Sequence, residues 1–321
     1  MQNKNIPSFT SIFEQEVYEG LTTYPKHLSS KYFYDEVGDK LFQDIMAMPE
    51  YYLTDSEFNI LEKHKEDIVQ LFSNDGPFSL FELGAGDGKK TKILLRHLVD
   101  QNIVFDYRPI DISQNALDNL EVSIKKEIPE VEINTIQGTY FDTLRDINKI
   151  NGKRKVILFL GSNIGNLLHE KAVEFLQELR DSINEQDYVF IGFDMKKNPQ
   201  TILDAYNDKA GITEAFNKNL LARINREMGA DFDLDKFLHW EVYDPETGTA
   251  KSYLVSKEDQ HVFIENLQLK VSFKSWETIH TEISQKYDDE VVEWLASKAG
   301  LKVVSSFTDN KVSYKNYIFK K

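Results

Sequence analysis

The chain has 321 residues, 41% of them hydrophobic, and a formal net charge of −15. That length supports one large core or two coupled domains, and no run approaches the ~20 continuous apolar residues of a membrane span. The negative field disfavours nucleic acid as a partner, and the absence of cysteine excludes disulfides, thiolate–zinc sites and a cysteine nucleophile.

Taken in chain order, residues 1–55 carry aromatic and apolar side chains without a long clean period. The stretches Lys31–Gly38 and Met48–Thr54 read as ordered, partly helical segments. Thr54 and Glu57 have the spacing of a capping box, which predicts a helix starting there. Phe58, Leu61, Ile68, Leu71 and Phe72 give that helix one apolar face. From residue 79 the pattern changes to alternating strands and helices. Ser79–Leu83 is a short apolar strand, followed by a glycine turn and a helix over 91–98. Val104–Ile110 is a second strand ending in Asp111, and Ser113 caps a helix running to about Glu127. Val131–Ile136 is predicted as a third strand. Lys155–Leu160 is almost wholly apolar, as a buried parallel strand requires. A helix over 171–183 and a strand over 188–193 complete the alternation, which argues for a parallel, doubly wound sheet.

After Asp194 the alternation breaks. A helical region is predicted over 200–229, then strands at 239–243, 252–255, 261–264 and 267–273, with a hairpin turn at Asp244–Gly248. Asp288–Ala299 is a helix stopped by Gly300, followed by two final strands at 301–307 and 313–319. The expected organisation is an α/β core at 56–198 and 286–321, with a second, α+β domain at 1–55 and 199–285.

Three further expectations follow from composition. The start, Met1–Asn5, lacks the apolar run of a signal peptide, so a cytoplasmic protein is expected. The seven histidines are scattered without paired-ligand spacing, so no metal site is expected. Lys125–Lys126 and Lys196–Lys197 read as solvated helix or loop ends rather than a basic patch. A small-molecule partner and a monomer are the default.

Glu82-Leu-Gly84-Ala-Gly86-Asp-Gly88 lies between a strand and a helix. Glycines let the backbone turn sharply and approach a ligand, and the helix behind offers unpaired N–H groups. Dinucleotide enzymes use similar loops, so the motif alone discriminates weakly. Asp111, at the end of the next strand, is placed to accept both hydroxyls of an adenosine ribose. Glu82 and Asp87 suit a sulfonium-bearing amino acid better than a pyrophosphate. With Lys89 and Lys90 following, the third glycine that dinucleotide loops use for tight helix packing reads as unmatched. The terminal helix–strand–strand unit is the one methyltransferases add to such a sheet. Together these features favour an S-adenosylmethionine-binding methyltransferase over a nicotinamide oxidoreductase.

Further segments are more specific. Phe33–Gly38, Pro49–Tyr52, Glu82–Gly86, Phe159–Asn166, Ala215–Asn219, Ile224–Glu227 and Thr281–Ser284 resemble, in order and over nearly the whole chain, the histidine Nα-methyltransferases of ergothioneine biosynthesis. The resemblance implies a Rossmann-like class I methyltransferase core with an inserted substrate-binding domain. It implies that Gly84, Gly86, Lys90 and Asp111 contact S-adenosylmethionine, and that Tyr34 lies near both its methionine end and the substrate. Tyr51, Asn166 and Tyr206 match residues holding the amino acid's α-amino and carboxylate groups, and Glu282 and Ser284 match a pair that hydrogen-bonds imidazole. The implied reaction is stepwise methylation of L-histidine to the betaine hercynine.

Two positions depart from the family pattern. Thr139 and Tyr140 stand where the family often has Asp-Phe against adenine, and Thr139 cannot accept from an adenine amino group as a carboxylate does. Ser252 stands where an apolar methionine is expected against the imidazole, leaving room for a different or larger group. The alternatives are a methyltransferase of the same family acting on another amino acid or small amine, and a non-catalytic relative that binds the cofactor.

Overall fold

The computed structural model describes residues 9–147 and 153–321; the Met1–Asn5 stretch lies outside them. The chain opens with α1 (Ile12–Thr22), β1 (Lys26–His27), α2 (Glu36–Met46) and α3 (Tyr52–Ser73). There follow β2 (Phe78–Leu83), α4 (Thr91–Asp100), β3 (Phe105–Asp111), α5 (Gln114–Glu127), β4 (Ile136–Gln137), α6 (Tyr140–Ile147), β5 (Arg154–Phe159), α7 (His169–Ser182) and β6 (Tyr188–Asp194). Next come α8 (Pro199–Tyr206), α9 (Ile212–Met228), β7 (Phe237–Asp244), β8 (Thr249–Ser256), β9 (Gln260–Ile264), β10 (Leu269–Phe273) and β11 (Thr278–Gln285). The chain closes with α10 (Asp289–Ala299), β12 (Lys302–Thr308) and β13 (Tyr314–Lys320). Two compact units result. One runs through Tyr51 and resumes over Asn198–Ser284; the other comprises Tyr52–Lys197 and Gln285–Lys321.

The unit that begins at Tyr52 holds a seven-stranded sheet in the order β12-β13-β6-β5-β2-β3-β4. β2 pairs in parallel with β3 and β5, and β5 with β6. β13 runs antiparallel to both β6 and β12. β2, β5 and β6 are buried along their whole length, as strands covered on both faces must be. This is a Rossmann-like α/β core with the terminal helix–strand–strand unit in place. Phe81, Phe159, Phe175, Phe193 and Tyr287 fill one side of it. Local signals set the helix ends: Ser113 Oγ accepts from Ala116 N at 3.2 Å to start α5, and Gly300 at φ 74° ends α10.

The other unit is α+β. Its larger sheet has the order β1-β11-β8-β7, and β9 and β10 form a separate pair. The β7–β8 hairpin places Glu241 opposite Ser252. α9 buries Phe216, Leu220, Ile224 and Met228, four residues apart and therefore on one helical face, in a core shared with Phe33, Phe237, Leu254 and Ile279.

Four local expectations are corrected. α3 begins at Tyr52, ahead of the expected capping box, and Glu57 lies inside it, fully buried; its carboxylate has other work, described below. The third strand contracts to Ile136–Gln137, with a single isolated bridge from Ile133 to Tyr107. The helical region at 200–229 divides into α8 and α9 around Gly211, whose φ is 77°. Lys197 is no solvated end, since its side chain is 11% exposed and paired with Asp194.

Candidate active site

The glycine loop is held by β3 on one side and α5 on the other. Gly84 N donates to Ile110 O at 2.8 Å, and Gly86 N to Asp111 Oδ2 at 3.1 Å. Gly84 has φ 73°, and a Cβ there would lie 2.6 Å from the Tyr140 hydroxyl. Gly86 has φ 54° with no heavy atom within 4 Å of such a Cβ, so its outer face is open. At Gly88 a Cβ would meet the Leu120 side chain of α5 at 2.4 Å, while Lys89 stands at the third-glycine position of the dinucleotide pattern.

Asp111 is half-buried and anchored by backbone donors. Its Oδ2 accepts from Gly86 and its Oδ1 from Ser113 N at 3.0 Å. An ionised carboxylate has about four acceptor positions, so both oxygens retain capacity for further donors. Two such oxygens beside an open glycine turn fit the hydroxyls of an adenosine ribose. Glu82 does not line the loop as expected. It is buried, accepting from the Thr91 and Tyr107 hydroxyls. Burial pushes its carboxyl up to about 7, against the pull of those two hydrogen bonds. Tyr140 begins α6 and packs edge-on to Phe159 at 5.1 Å. Thr139 caps that helix, its hydroxyl accepting from Asp142 N at 3.3 Å and donating to Asp142 Oδ2 at 2.7 Å.

Behind the loop, Glu57 collects donors from four places. Oε2 accepts from Lys90 Nζ and from Gly161 N, and Oε1 from Tyr314 OH and Asn316 Nδ2. Gly192 makes the space, because a Cβ there would lie 2.2 Å from Glu57 Oε1. Lys90 is thus an ion-pair partner of a fully buried acid. Gly161 and Ser162 turn the chain through positive φ into the short 3-10 turn Asn163–Asn166, which ends on an exposed Asn166. The Ser162 hydroxyl accepts from Asp194 N at 2.9 Å.

Asp194 forms a second buried node. Its carboxylate accepts from Tyr52 OH at 2.8 Å and pairs with Lys286 at 2.8 Å and with Lys197. Burial works to raise its pKa, yet the two ammonium groups, Lys286 ahead of Lys197, hold it below the ordinary carboxylate value. Tyr52, Lys197 and Lys286 stand beside the points where the chain passes from one unit to the other.

In the α+β unit the candidate tyrosines form an aromatic row. Tyr34 meets Phe42 edge-on at 5.5 Å and Phe216 at 5.7 Å, and Tyr51 meets Phe42 and Tyr206, each at 6.4 Å. The Tyr206 hydroxyl lies 2.7 Å from Ser284 Oγ, which joins the end of α8 to β11. Glu282 is half-buried two residues earlier on the same strand. Ser252 departs from the expectation of spare room. Its hydroxyl donates to Glu241 Oε2 at 2.6 Å, and both residues are buried, so a polar pair fills the place.

The structure therefore brings together Gly84, Gly86, Asp111 and Tyr140 in one unit, and Tyr34, Tyr51, Tyr206 and Ser284 in the other. Sequence reasoning missed the Glu57 and Asp194 nodes. For Glu57 the available signal was an acid on the apolar stripe of α3, in register with Leu53, Ile60 and Leu61. Among the described residues no helix is long and apolar enough to cross a membrane.

Residues 13–321 match the family model described as histidine-specific, SAM-dependent methyltransferase. The histidine N-alpha-methyltransferase of Mycolicibacterium smegmatis is 36% identical, covering 94% of this chain and 92% of that protein. Ergothioneine biosynthesis protein 1 of Schizosaccharomyces pombe is 32% identical over 92% of this chain, which spans 39% of that longer protein. The L-tryptophan methyltransferase trpM of Psilocybe serbica is 29% identical over 93% of this chain and 90% of that protein. The chain belongs to the S-adenosylmethionine-dependent, histidine-specific methyltransferase family.

Proposed function

We propose that this methyltransferase acts on the α-amino group of L-histidine and carries it to the trimethylated betaine, hercynine. The observation that carries the substrate is the Tyr206–Ser284 hydroxyl pair at 2.7 Å, with Glu282 two residues upstream. A carboxylate accepts the imidazole N–H, and a hydroxyl serves the other ring nitrogen whether that nitrogen needs a donor or an acceptor. Such a set selects imidazole, because an amino acid lacking ring nitrogens forgoes both of these hydrogen bonds.

The residues around the glycine loop fit S-adenosylmethionine. Gly84 and Gly86 admit it to the backbone, Asp111 takes the ribose hydroxyls, and Thr139 and Tyr140 border the adenine. Lys90, held by Glu57, keeps the loop's helix end in place. When bound, the cofactor supplies an electrophilic methyl group on a sulfonium. The chain's own contribution is placement. The attacking amine must be neutral, since an ammonium has no lone pair. Asn166 offers a carbonyl, and Tyr51 and Tyr206 offer phenol oxygens, that accept amine hydrogens without acting as strong bases. Tyr34 borders the methyl-bearing end. In this reading the Rossmann-like unit is the cofactor-binding domain and the α+β unit the substrate-binding domain.

A second reading is favoured by one observation. The buried Ser252–Glu241 pair is polar where the resemblance places an apolar methionine, which suits a different amino acid with its own hydrogen-bonding group. Purified protein with labelled cofactor and a panel of amino acids decides between the two. Transfer to histidine supports the first reading; transfer to another amine in its place establishes the second.

A further inference from the structure

The segment Ala215–Asn219 carries part of the family resemblance, yet none of its side chains has a place in the proposed reaction. In the structure it lies on α9, and Asn217 is 2% exposed. The Asn217 amide nitrogen is 3.2 Å from Tyr253 O and 2.8 Å from His239 Nδ1. A backbone carbonyl only accepts, so the nitrogen of the amide must face Tyr253. The same NH2 group then donates its other hydrogen to His239 Nδ1, which must be the ring's acceptor. In a neutral imidazole the proton therefore sits on Nε2, and Nε2 lies 3.0 Å from the carbonyl of Tyr206. Burial lowers the His239 pKa, against the hydrogen bond to Tyr206, and so favours the neutral ring.

That carbonyl belongs to the last residue of α8, and the final carbonyls of a helix have no partner within it. His239 supplies the missing donor to Tyr206, whose side chain reaches Ser284. The polar side chains of α9 treat the Tyr34 segment alike. Asn219 Nδ2 donates to Phe33 O at 3.3 Å and to Asp35 Oδ1 at 3.0 Å, and Arg223 donates to Tyr34 O at 3.1 Å.

We propose that Asn217 and His239 are positioning residues of the amino-acid site: Asn217 fixes the tautomer of His239, and His239 fixes the helix end from which Tyr206 reaches Ser284. The inference rests on the histidine reading above. Neither residue is needed to touch substrate; each acts through Tyr206.

Nitrogen NMR of the imidazoles in the unsubstituted protein reads the tautomer directly. The expected signature is a protonated Nε2 and an unprotonated Nδ1 at His239; a protonated Nδ1 overturns the proposal. Kinetics read the consequence. His239→Ala and Asn217→Ala are expected to raise the amino-acid KM about tenfold, the size of one lost hydrogen bond, with cofactor affinity unchanged. His239→Gln, whose amide N–H can stand near Nε2, is expected to recover most of that loss. Equal losses in His239→Ala and His239→Gln, or an unchanged KM in folded alanine variants, overturn it. If the unsubstituted protein transfers no methyl to histidine, the functional reading fails separately, and the tautomer measurement still decides the Asn217–His239 relay.

Discussion

Asp111 and Tyr206 are both proposed ligand contacts, but they are held in opposite ways. Asp111 is gripped by backbone N–H groups of Gly86 and Ser113, which any sequence with the same turn would provide. Tyr206 is gripped by side chains, His239 at its carbonyl and Ser284 at its hydroxyl. A site built from backbone is set by where glycines fall and tolerates change elsewhere. A site built from side chains can be retuned one residue at a time. The contrast fits a family in which the cofactor is common while relatives carry names for histidine and for tryptophan.

The largest effect is expected at neither ligand site but at the Asp194 node. Asp194→Asn leaves Lys286, at 0% side-chain exposure, and Lys197 without their carboxylate, and is expected to destabilise by about 3–5 kcal/mol in chemical denaturation. A loss under 1 kcal/mol would mean the node is incidental. The pH dependence has a definite sign. The folded Asp194 pKa is depressed, so its contribution is complete above the unfolded value of about 3.9 and is lost as pH falls through the folded one. The asparagine variant should lack that part of the acid transition.

Next in size, Glu282→Ala should raise the histidine KM by roughly 10- to 100-fold, the range for losing a charge-assisted hydrogen bond, while cofactor affinity holds. Equal losses in both would make Glu282 structural and blur the contrast between the two ways of building a site. Gly84→Ala tests the backbone side. Its Cβ would press on Tyr140 at a positive φ, so strain of about 1–3 kcal/mol is expected, read as weaker cofactor binding with the amino-acid KM unchanged at saturating cofactor. The smallest stability change is expected at Gly86→Ala, where φ is positive but space is open. A loss of about 1–2 kcal/mol in folding should accompany a larger loss in cofactor binding, since the methyl points into the open face of the loop. A binding loss no greater than the folding loss would mean that face is not used.

Much of the cofactor half was legible in the sequence because its determinants are local. Gly84 and Gly86 declare positive φ, Ser113 declares a helix start, and the burial of Val156–Phe159 in β5 follows from an apolar run. Even there, the close contact at Gly88 was not legible, since it is made with Leu120, 32 positions away. Thr54 and Glu57 matched a capping box by spacing, but spacing cannot show that Glu57 is enclosed by Lys90, Gly161, Tyr314 and Asn316. Lys197 resembles any lysine beside another until Asp194 is seen against it. In the α+β unit, Tyr206, Glu282 and Ser284 were named only through the resemblance. Their supports were not legible, because Asn217 and His239 meet by packing a helix on a sheet, and no local pattern marks which polar residues will face each other.

The measurement that tests the central claim most directly is methyl transfer to free amino acids by the intact chain with labelled S-adenosylmethionine, with the product identified by mass and by the site of label. The expected result is label on the α-nitrogen of L-histidine, proceeding to the trimethylated betaine. Label on another amine, with histidine untouched, would contradict it.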